Sequence, residues 1–161
     1  MICLVGLVSS HGRFIEPPSR TSAWRFGFKT PTNHIDHGTN CGGFGRQWQK
    51  NKGKCGVCGD AWDLKTPRAA ESGGRYGRDV IVRSYSPGQM IEVGVEVTAN
   101  HMGYFQFSPC PFVPASQKCF ETFRLKSKNG KTKFDVRRGT GKRYMKVKIC
   151  RPRENLKLYP K

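Results

Sequence analysis

The clearest pattern in the chain is the alternation of apolar and polar residues over positions 90–98. The apolar positions share one face of a predicted strand and are Ile91, Val93, Val95 and Val97. The intervening positions are charged, small or hydroxylated, as expected for a strand that is buried on one side only. This strand runs into Ala99-Asn100-His101. His101 is therefore predicted at the end of a rigid strand, where binding and catalytic side chains are commonly displayed.

Shorter β-rich runs are separated by turn residues over the rest of the chain. The patterns predict strands over 80–85, 103–107, 120–125, 133–136 and 144–149, with a hairpin closed by Ser86-Pro87-Gly88 and further turns at Asn129-Gly130 and 139–141. Residues 11–62 are dense in Gly, Pro, Asn and aromatic residues. They predict long loops and a short helix near 19–26. Many short strands with such punctuation favour an all-β fold, most simply a β-sandwich.

Composition narrows the class further. A length of 161 residues predicts one domain, and 19 Gly with 10 Pro argues against a helical bundle. The net charge is +18, and 15 of the 29 Lys and Arg fall within 124–161, against Asp135 and Glu154. Such a balance attracts polyanions non-specifically. Without a nucleic-acid-binding motif, we expect a solvated basic surface, no specific nucleic-acid partner, no membrane association and a monomer.

The first ten residues are apolar and then small, which is typical of a secretory leader cleaved after Ser10. The alternative is an ordinary buried N-terminal strand. We expect residues 1–10 to be the signal peptide, 11–150 the domain and 151–161 a basic tail of a secreted, extracellular protein. Cleavage removes Cys3 and leaves an even number of cysteines, which suits disulfide formation in an oxidising compartment. They are Cys41, Cys55, Cys58, Cys110, Cys119 and Cys150. Their connectivity is not readable from the sequence.

Cleavage after Ser10 would give His11 a free α-amino group beside its own imidazole. An α-amino group has a pKa of about 8, so it loses its proton to a metal at little cost near neutral pH. Imidazole is a favoured ligand of copper, and a second imidazole would complete three nitrogens in a T-shape suited to Cu(II).

Two other patterns invite a metal or redox interpretation. His34 and His37 flank Asp36 at a spacing that suggests zinc, but a solvated loop is the better interpretation. Cys55-x-x-Cys58 is compatible with half of a zinc site or a redox dithiol. Because a second such pair is absent from the sequence, disulfides are favoured.

Several segments in order resemble one known family, the arthropod-type lytic polysaccharide monooxygenases, which are similar to copper-dependent, chitin-binding type four domains. The resemblance begins with the run from His11 to Arg20 and Trp24-Arg25, and spans about His11 to Phe123. Its further segments are Cys41-Gly42-Gly43-Phe44, Gln47-Trp48, the run from Lys54 to Asp60, Gly73-Gly74-Arg75-Tyr76, Thr98-Ala99-Asn100-His101, the run from Gly103 to Phe107, and Cys110-Pro111.

The resemblance implies an immunoglobulin- or fibronectin-III-like β-sandwich that displays a flat copper surface. It implies a histidine brace in which the α-amino nitrogen and one ring nitrogen of His11 and one ring nitrogen of His101 bind copper, with Ala99 nearby. It also implies hydroxylation of a carbon at the glycosidic linkage of insoluble chitin, or secondly cellulose. The reaction uses an external electron donor with oxygen or peroxide.

The resemblance stops after Cys150. The family continues through a cysteine-rich segment and a closing strand that carries an axial aromatic residue, and Tyr159 matches no such motif. We therefore expect a truncated chain that lacks its closing strand, with weakened stability and copper affinity. The alternative is a non-catalytic chitin- or carbohydrate-binding protein. Its candidate stacking residues are Trp24, Tyr76 and Tyr104, each of which could equally be buried for structural reasons.

Overall fold

The architecture consists of short strands in two antiparallel sheets. A computed structural model describes residues 11–100, 102–136 and 139–149. The strands are β1 (His11–Glu16), β2 (Met90–Ala99), β3 (Tyr104–Phe105), β4 (Phe134–Asp135) and β5 (Gly141–Lys148). The helical segments are a 3₁₀ helix (Ala23–Phe26), a π-helical segment (Gly45–Lys50) and the helix α1 (Gln117–Thr122). The predicted all-β class with long loops and short helices is confirmed.

Strand β2 is the centre of the larger sheet. It pairs antiparallel with β1 on one side and with β5 on the other, giving the order β1-β2-β5. The smaller sheet pairs β3 with β4, also antiparallel. The alternation that predicted β2 is reproduced in the structure, because its four apolar alternate residues are all buried.

The core lies between the two sheets. Its buried members come from β2, β5 and the segments that follow β3 and α1, and they are Ile91, Val93, Val95, Phe107, Leu125 and Val147. Phe105 of β3 and Phe134 of β4 pack against this cluster from the smaller sheet. The smaller sheet therefore covers the apolar face of the larger one.

A glycine in the middle of β2 allows the three strands of the larger sheet to approach closely. A Cβ atom on Gly94 would lie 2.8 Å from Cε1 of Tyr144 in β5 and 3.0 Å from Cγ1 of Ile15 in β1. Ile15 is itself the extra residue of a bulge, because Phe14 pairs with Val95 and Glu16 with Gly94. Because Gly94 has no side chain, the side chains of Tyr144 and Ile15 can both lie close over its backbone.

Three sequence-based expectations for secondary structure are wrong. Residues 80–85 form no strand, and Ile81 is largely exposed, so the predicted hairpin is absent. Residues 120–125 were expected to be extended, but helix α1 ends at Thr122. It begins after Ser116, whose hydroxyl accepts a hydrogen bond from the Cys119 amide and caps the first turn. Strand β1 lies where only loops and short helices were expected.

Two disulfides connect the loops. Cys41 is bonded to Cys55, and Cys110 to Cys119. Cys58 is in no disulfide among the described residues, and burial raises the pKa of its half-buried thiol. Cys150, the leader and the tail after 150 lie outside the described residues. Within the described ranges, no helix has the length and apolar character needed to cross a bilayer.

Candidate functional site

His11 is held at the first position of β1, beside the last residue of β2. In the antiparallel register its Cα partner is Ala99. The Thr98 hydroxyl donates a hydrogen bond of 3.1 Å to the His11 carbonyl oxygen. The main chain of His11 is therefore fixed at the sheet end where β2 gives way to Asn100 and the residues that follow. Ala99, which the resemblance places near the copper, thus lies beside His11, and its role at a copper site stays a prediction.

His37 lies against His11, although 26 positions separate them in the chain. The two imidazole rings meet edge to face, with centroids 5.0 Å apart and planes at 86°. Nδ1 of His11 lies 3.3 Å from the carbonyl oxygen of His37, which is a long and therefore weak hydrogen bond. The loop that contains His37 thus forms one wall beside His11.

This loop is fixed by the buried carboxylate of Asp36, which is only 1% exposed. Arg13 of β1 and Arg25 of the 3₁₀ helix both donate hydrogen bonds to it. Burial opposes ionisation of Asp36, but the hydrogen bonds from Arg25 and Arg13 outweigh it and hold the pKa of the carboxyl below its usual value. Glu96 of β2 accepts a second hydrogen bond from Arg13, at 2.8 Å. The cluster connects the His37 loop to both β1 and β2.

The turn after β2 is organised by the side chain of Asn100. Its Oδ1 accepts a hydrogen bond of 2.6 Å from the Met102 amide, and its Nδ2 donates one of 2.7 Å to the Gly139 carbonyl. Met102 adopts a left-handed backbone with φ of 63°. Asn100 therefore closes the turn and attaches it to the segment before β5. His101, the residue between Asn100 and Met102, lies outside the described residues.

The candidate metal ligands at this end of the sheet are nitrogen atoms. The carboxylate of Asp36 is already engaged by two guanidinium groups, so it is not an available metal ligand. Within the ranges that the structure describes, no three His, Cys, Asp or Glu side chains converge on a metal position. The imidazole of His11 suits copper, whereas calcium and magnesium prefer oxygen. His11 therefore fits a copper ligand, and two further members of the set stay predictions: His101 and the α-amino group that cleavage after Ser10 would free.

Exposure separates the three aromatic residues that were proposed for sugar stacking. Tyr104, in β3, is 52% exposed, and the ammonium of Lys133 lies 4.3 Å from the centre of its ring. Trp24 and Tyr76 are half-buried. Trp24 also packs edge to face with His34. Of the three, Tyr104 offers the most accessible ring.

Sequence reasoning missed the surroundings of His11. The sequence pattern leaves His37 out of the metal site and assigns Asp36 to a solvated loop. In the structure, His37 contacts the His11 ring and Asp36 is fully buried. Arg13 sits two residues after His11, and its partner is 23 positions away. No local spacing reveals such contacts. The only available signal is that Asp36 is the single aspartate within residues 11–59, which contain four arginines.

Comparisons with known proteins agree with one another. A sequence profile of the family described as "Lytic polysaccharide mono-oxygenase, cellulose-degrading" matches residues 11–155. Among solved structures, the chain is similar to a lytic polysaccharide monooxygenase AA15 from Thermobia domestica in the Cu(I) state, with 41% identity and a TM-score of 0.83. That similarity covers 86% of this chain and 74% of the other. No curated protein matches the chain.

Proposed function

Because the chain belongs to the lytic polysaccharide monooxygenase family, and specifically to its arthropod type, we propose that it oxidises chitin at a copper ion held by His11 and His101. Members of this family are copper-dependent oxidoreductases that cleave insoluble polysaccharide with an external electron donor, and this chain is such an enzyme. Cellulose is the second candidate substrate, and the matched family profile carries that substrate in its description.

The observation that carries this proposal is the register of β1 and β2. His11 pairs with Ala99, and His101 follows Ala99 by two positions. Two residues of chain span at most about 7 Å, so covalent connectivity alone keeps the two histidines near one end of the sheet. This proximity supports a shared ligand set of the α-amino nitrogen and a ring nitrogen of His11 with a ring nitrogen of His101.

The α-amino ligand requires processing, so the proposal includes secretion and removal of residues 1–10. Nδ1 is the ring nitrogen that can share a six-membered chelate ring with the amine of the same histidine. Its contact with the His37 carbonyl is 3.3 Å long, so giving up that hydrogen bond costs little. The hydrogen bond from Thr98 is compatible with chelation, because it uses the His11 carbonyl oxygen and neither of these nitrogens.

Copper supplies the oxygen chemistry, using oxygen or peroxide and an external electron donor. The contribution of the chain is to hold the ligands in fixed geometry and to present the polymer to them. The end of β2 and the Asn100 turn provide the fixed geometry. The exposed ring of Tyr104 lies three positions beyond His101 and offers an apolar face against which a sugar ring can stack.

The test is product analysis with the processed protein, copper, a reductant and insoluble chitin. We expect oxidised oligosaccharides from the wild type and none from His101→Ala. His34→Ala is the matched control, because His34 packs against Trp24 rather than His11, and it should retain product release. Undiminished release by His101→Ala would refute the assigned ligand. Adsorption to chitin without oxidised product in the wild type would favour a non-catalytic binding protein.

A further inference from the structure

A basic cleft opens between β4 and β5, on the part of the chain with the greatest excess of Lys and Arg. It has a volume of about 380 Å³. Its rim carries Lys131, Lys133 and Arg143, and its floor is formed by Phe105, Phe134 and Met145. Tyr144, which is 52% exposed, also borders it. The cleft thus combines three cations with apolar and aromatic surface.

The cations of the cleft are not neutralised by their surroundings. Among the residues that the structure describes, no carboxylate lies within ion-pair distance of Lys131, Lys133 or Arg143. Asp135 is the one acid among the residues that line the cleft, and it is exposed. By contrast, Arg13, Arg46 and Arg68 each contact a carboxylate at 2.8 Å or closer. The cleft therefore has a positive potential that a bound anion would satisfy.

The cleft adjoins the turn that follows β2. Tyr104 pairs in register with Asp135, and Lys133 lies over the Tyr104 ring. The Val136 amide donates a hydrogen bond of 2.9 Å to the Gly103 carbonyl. A polymer seated in the cleft would thus extend toward the sheet end that contains His11.

We propose that this cleft binds a segment of an anionic polysaccharide, with its carboxylate or sulfate groups on Lys131, Lys133 and Arg143. A sugar ring would pack against the aromatic surface beside them. This binding uses no residue of the proposed copper site and requires no metal. Besides oxidative cleavage, the protein would thus have a means of staying attached to a matrix of acidic polysaccharide.

The shape and surroundings of the cleft favour a glycan over a nucleic acid. Its volume is at the lower end of the range for pockets that take small ligands, so it admits a few sugar units but not a duplex. The family acts on polysaccharides. Of the aromatic residues that line the cleft only Tyr144 is exposed, so the cleft lacks the series of stacking platforms that single-stranded nucleic acids use. A single-stranded oligonucleotide is therefore the competitor to exclude.

The test measures binding of a heparin oligosaccharide to the metal-free full chain by calorimetry at several salt concentrations. The cleft variant is Lys131→Gln, Lys133→Gln, Arg143→Gln. The matched variant is Lys29→Gln, Lys65→Gln, Arg75→Gln, whose residues are exposed and include an arginine over a tyrosine ring. Each variant removes three charges from the net +18 and leaves +15.

We expect the cleft variant to weaken binding by about tenfold or more, since three charge contacts are lost. The slope of log Kd against log salt should fall by about two to three, as for other polyanions. The matched variant should stay within about twofold of the wild type. Circular dichroism would verify that both variants fold. Because no metal is present, failure here leaves the copper proposal untouched.

Three results would overturn the proposal. Equal weakening by both variants would mean that only the overall charge attracts heparin. Tighter binding of a single-stranded oligodeoxynucleotide, lost on the same three substitutions, would assign the cleft to nucleic acid instead. A neutral chitin oligosaccharide should be insensitive to the cleft variant, and sensitivity to it would contradict the role given to charge.

Discussion

At the scale of single residues, the surroundings of His11 depend on one buried carboxylate. Asp36 accepts hydrogen bonds from Arg13 and Arg25, and the residue after it contacts the His11 ring. Removing one partner of a buried ion pair leaves uncompensated charge, which costs more than the pair itself contributes. Asp36 is therefore expected to determine both stability and the position of the wall beside His11.

Asp36→Asn should lower the free energy of unfolding by about 3 kcal/mol at neutral pH, because two guanidinium groups lose their anion. The folded state holds the pKa of Asp36 below its ordinary value. Its contribution is therefore complete above the unfolded pKa of about 4 and is lost as pH falls through the folded pKa. The difference between wild type and variant should accordingly shrink at acid pH.

Urea unfolding at pH 7 and pH 3 measures this difference. Glu92→Gln is the control, since Glu92 is an exposed carboxylate of β2, and it should change stability little at either pH. A difference between wild type and Asp36→Asn that is equal at both pH values would argue against an ionised Asp36 as the source.

At the scale of elements, β2 organises the molecule. It pairs with β1 and β5, supplies one face of the core and ends beside His11. Its alternation is local, so the sequence predicts it directly. The partner strand β1 could not be predicted in this way, because its bulge at Ile15 interrupts the period of two and its partners lie 78 to 88 positions away.

The close approach over Gly94 gives a specific prediction for this sheet. Gly94→Val should lower the free energy of unfolding by about 1–3 kcal/mol, because the new side chain would collide with Tyr144 and Ile15. Guanidinium denaturation measures the loss. Glu92→Val, two positions earlier on the same face, is exposed and should cost less. Adding Tyr144→Ala to Gly94→Val should recover part of the loss, and no recovery would argue against the steric explanation.

The wrong predictions share a physical cause. Residues 80–85 have strand-forming side chains, but β-propensity depends on a partner strand, and the described residues provide none. Residues 120–125 have a similar aromatic and apolar content, but the cap at Ser116 and the disulfide at Cys119 favour a helix that continues to Thr122. Local propensity was overruled in both places by contacts that depend on the whole fold.

At the scale of the whole molecule, the sheets place two kinds of chemistry near one another. His11 pairs with Ala99, just before the Asn100 turn, and Tyr104, just after that turn, pairs with Asp135 of the basic cleft. The sequence predicted an excess of positive charge within residues 124–161 but not where these side chains lie in the fold. The fold was needed to show that three of these cations border a single cleft.

The motifs around His11 predicted the family and the cofactor from the sequence, and both are confirmed. The pair of ligands His11 and His101 is what the family resemblance implies, and it stays a prediction that the register of β1 with β2 supports. The hydrogen-bonded cluster of Arg13, Arg25, Asp36 and Glu96 could not be predicted from the sequence, because its members come from four separate segments.

The most direct test of the copper site is the electron paramagnetic resonance spectrum of the processed protein loaded with one equivalent of Cu(II). We predict nitrogen hyperfine structure from three nitrogen ligands in the wild type. In His101→Ala the number should fall to two, with His34→Ala unchanged. A spectrum of His101→Ala identical to that of the wild type would contradict the assignment of copper to His11 and His101.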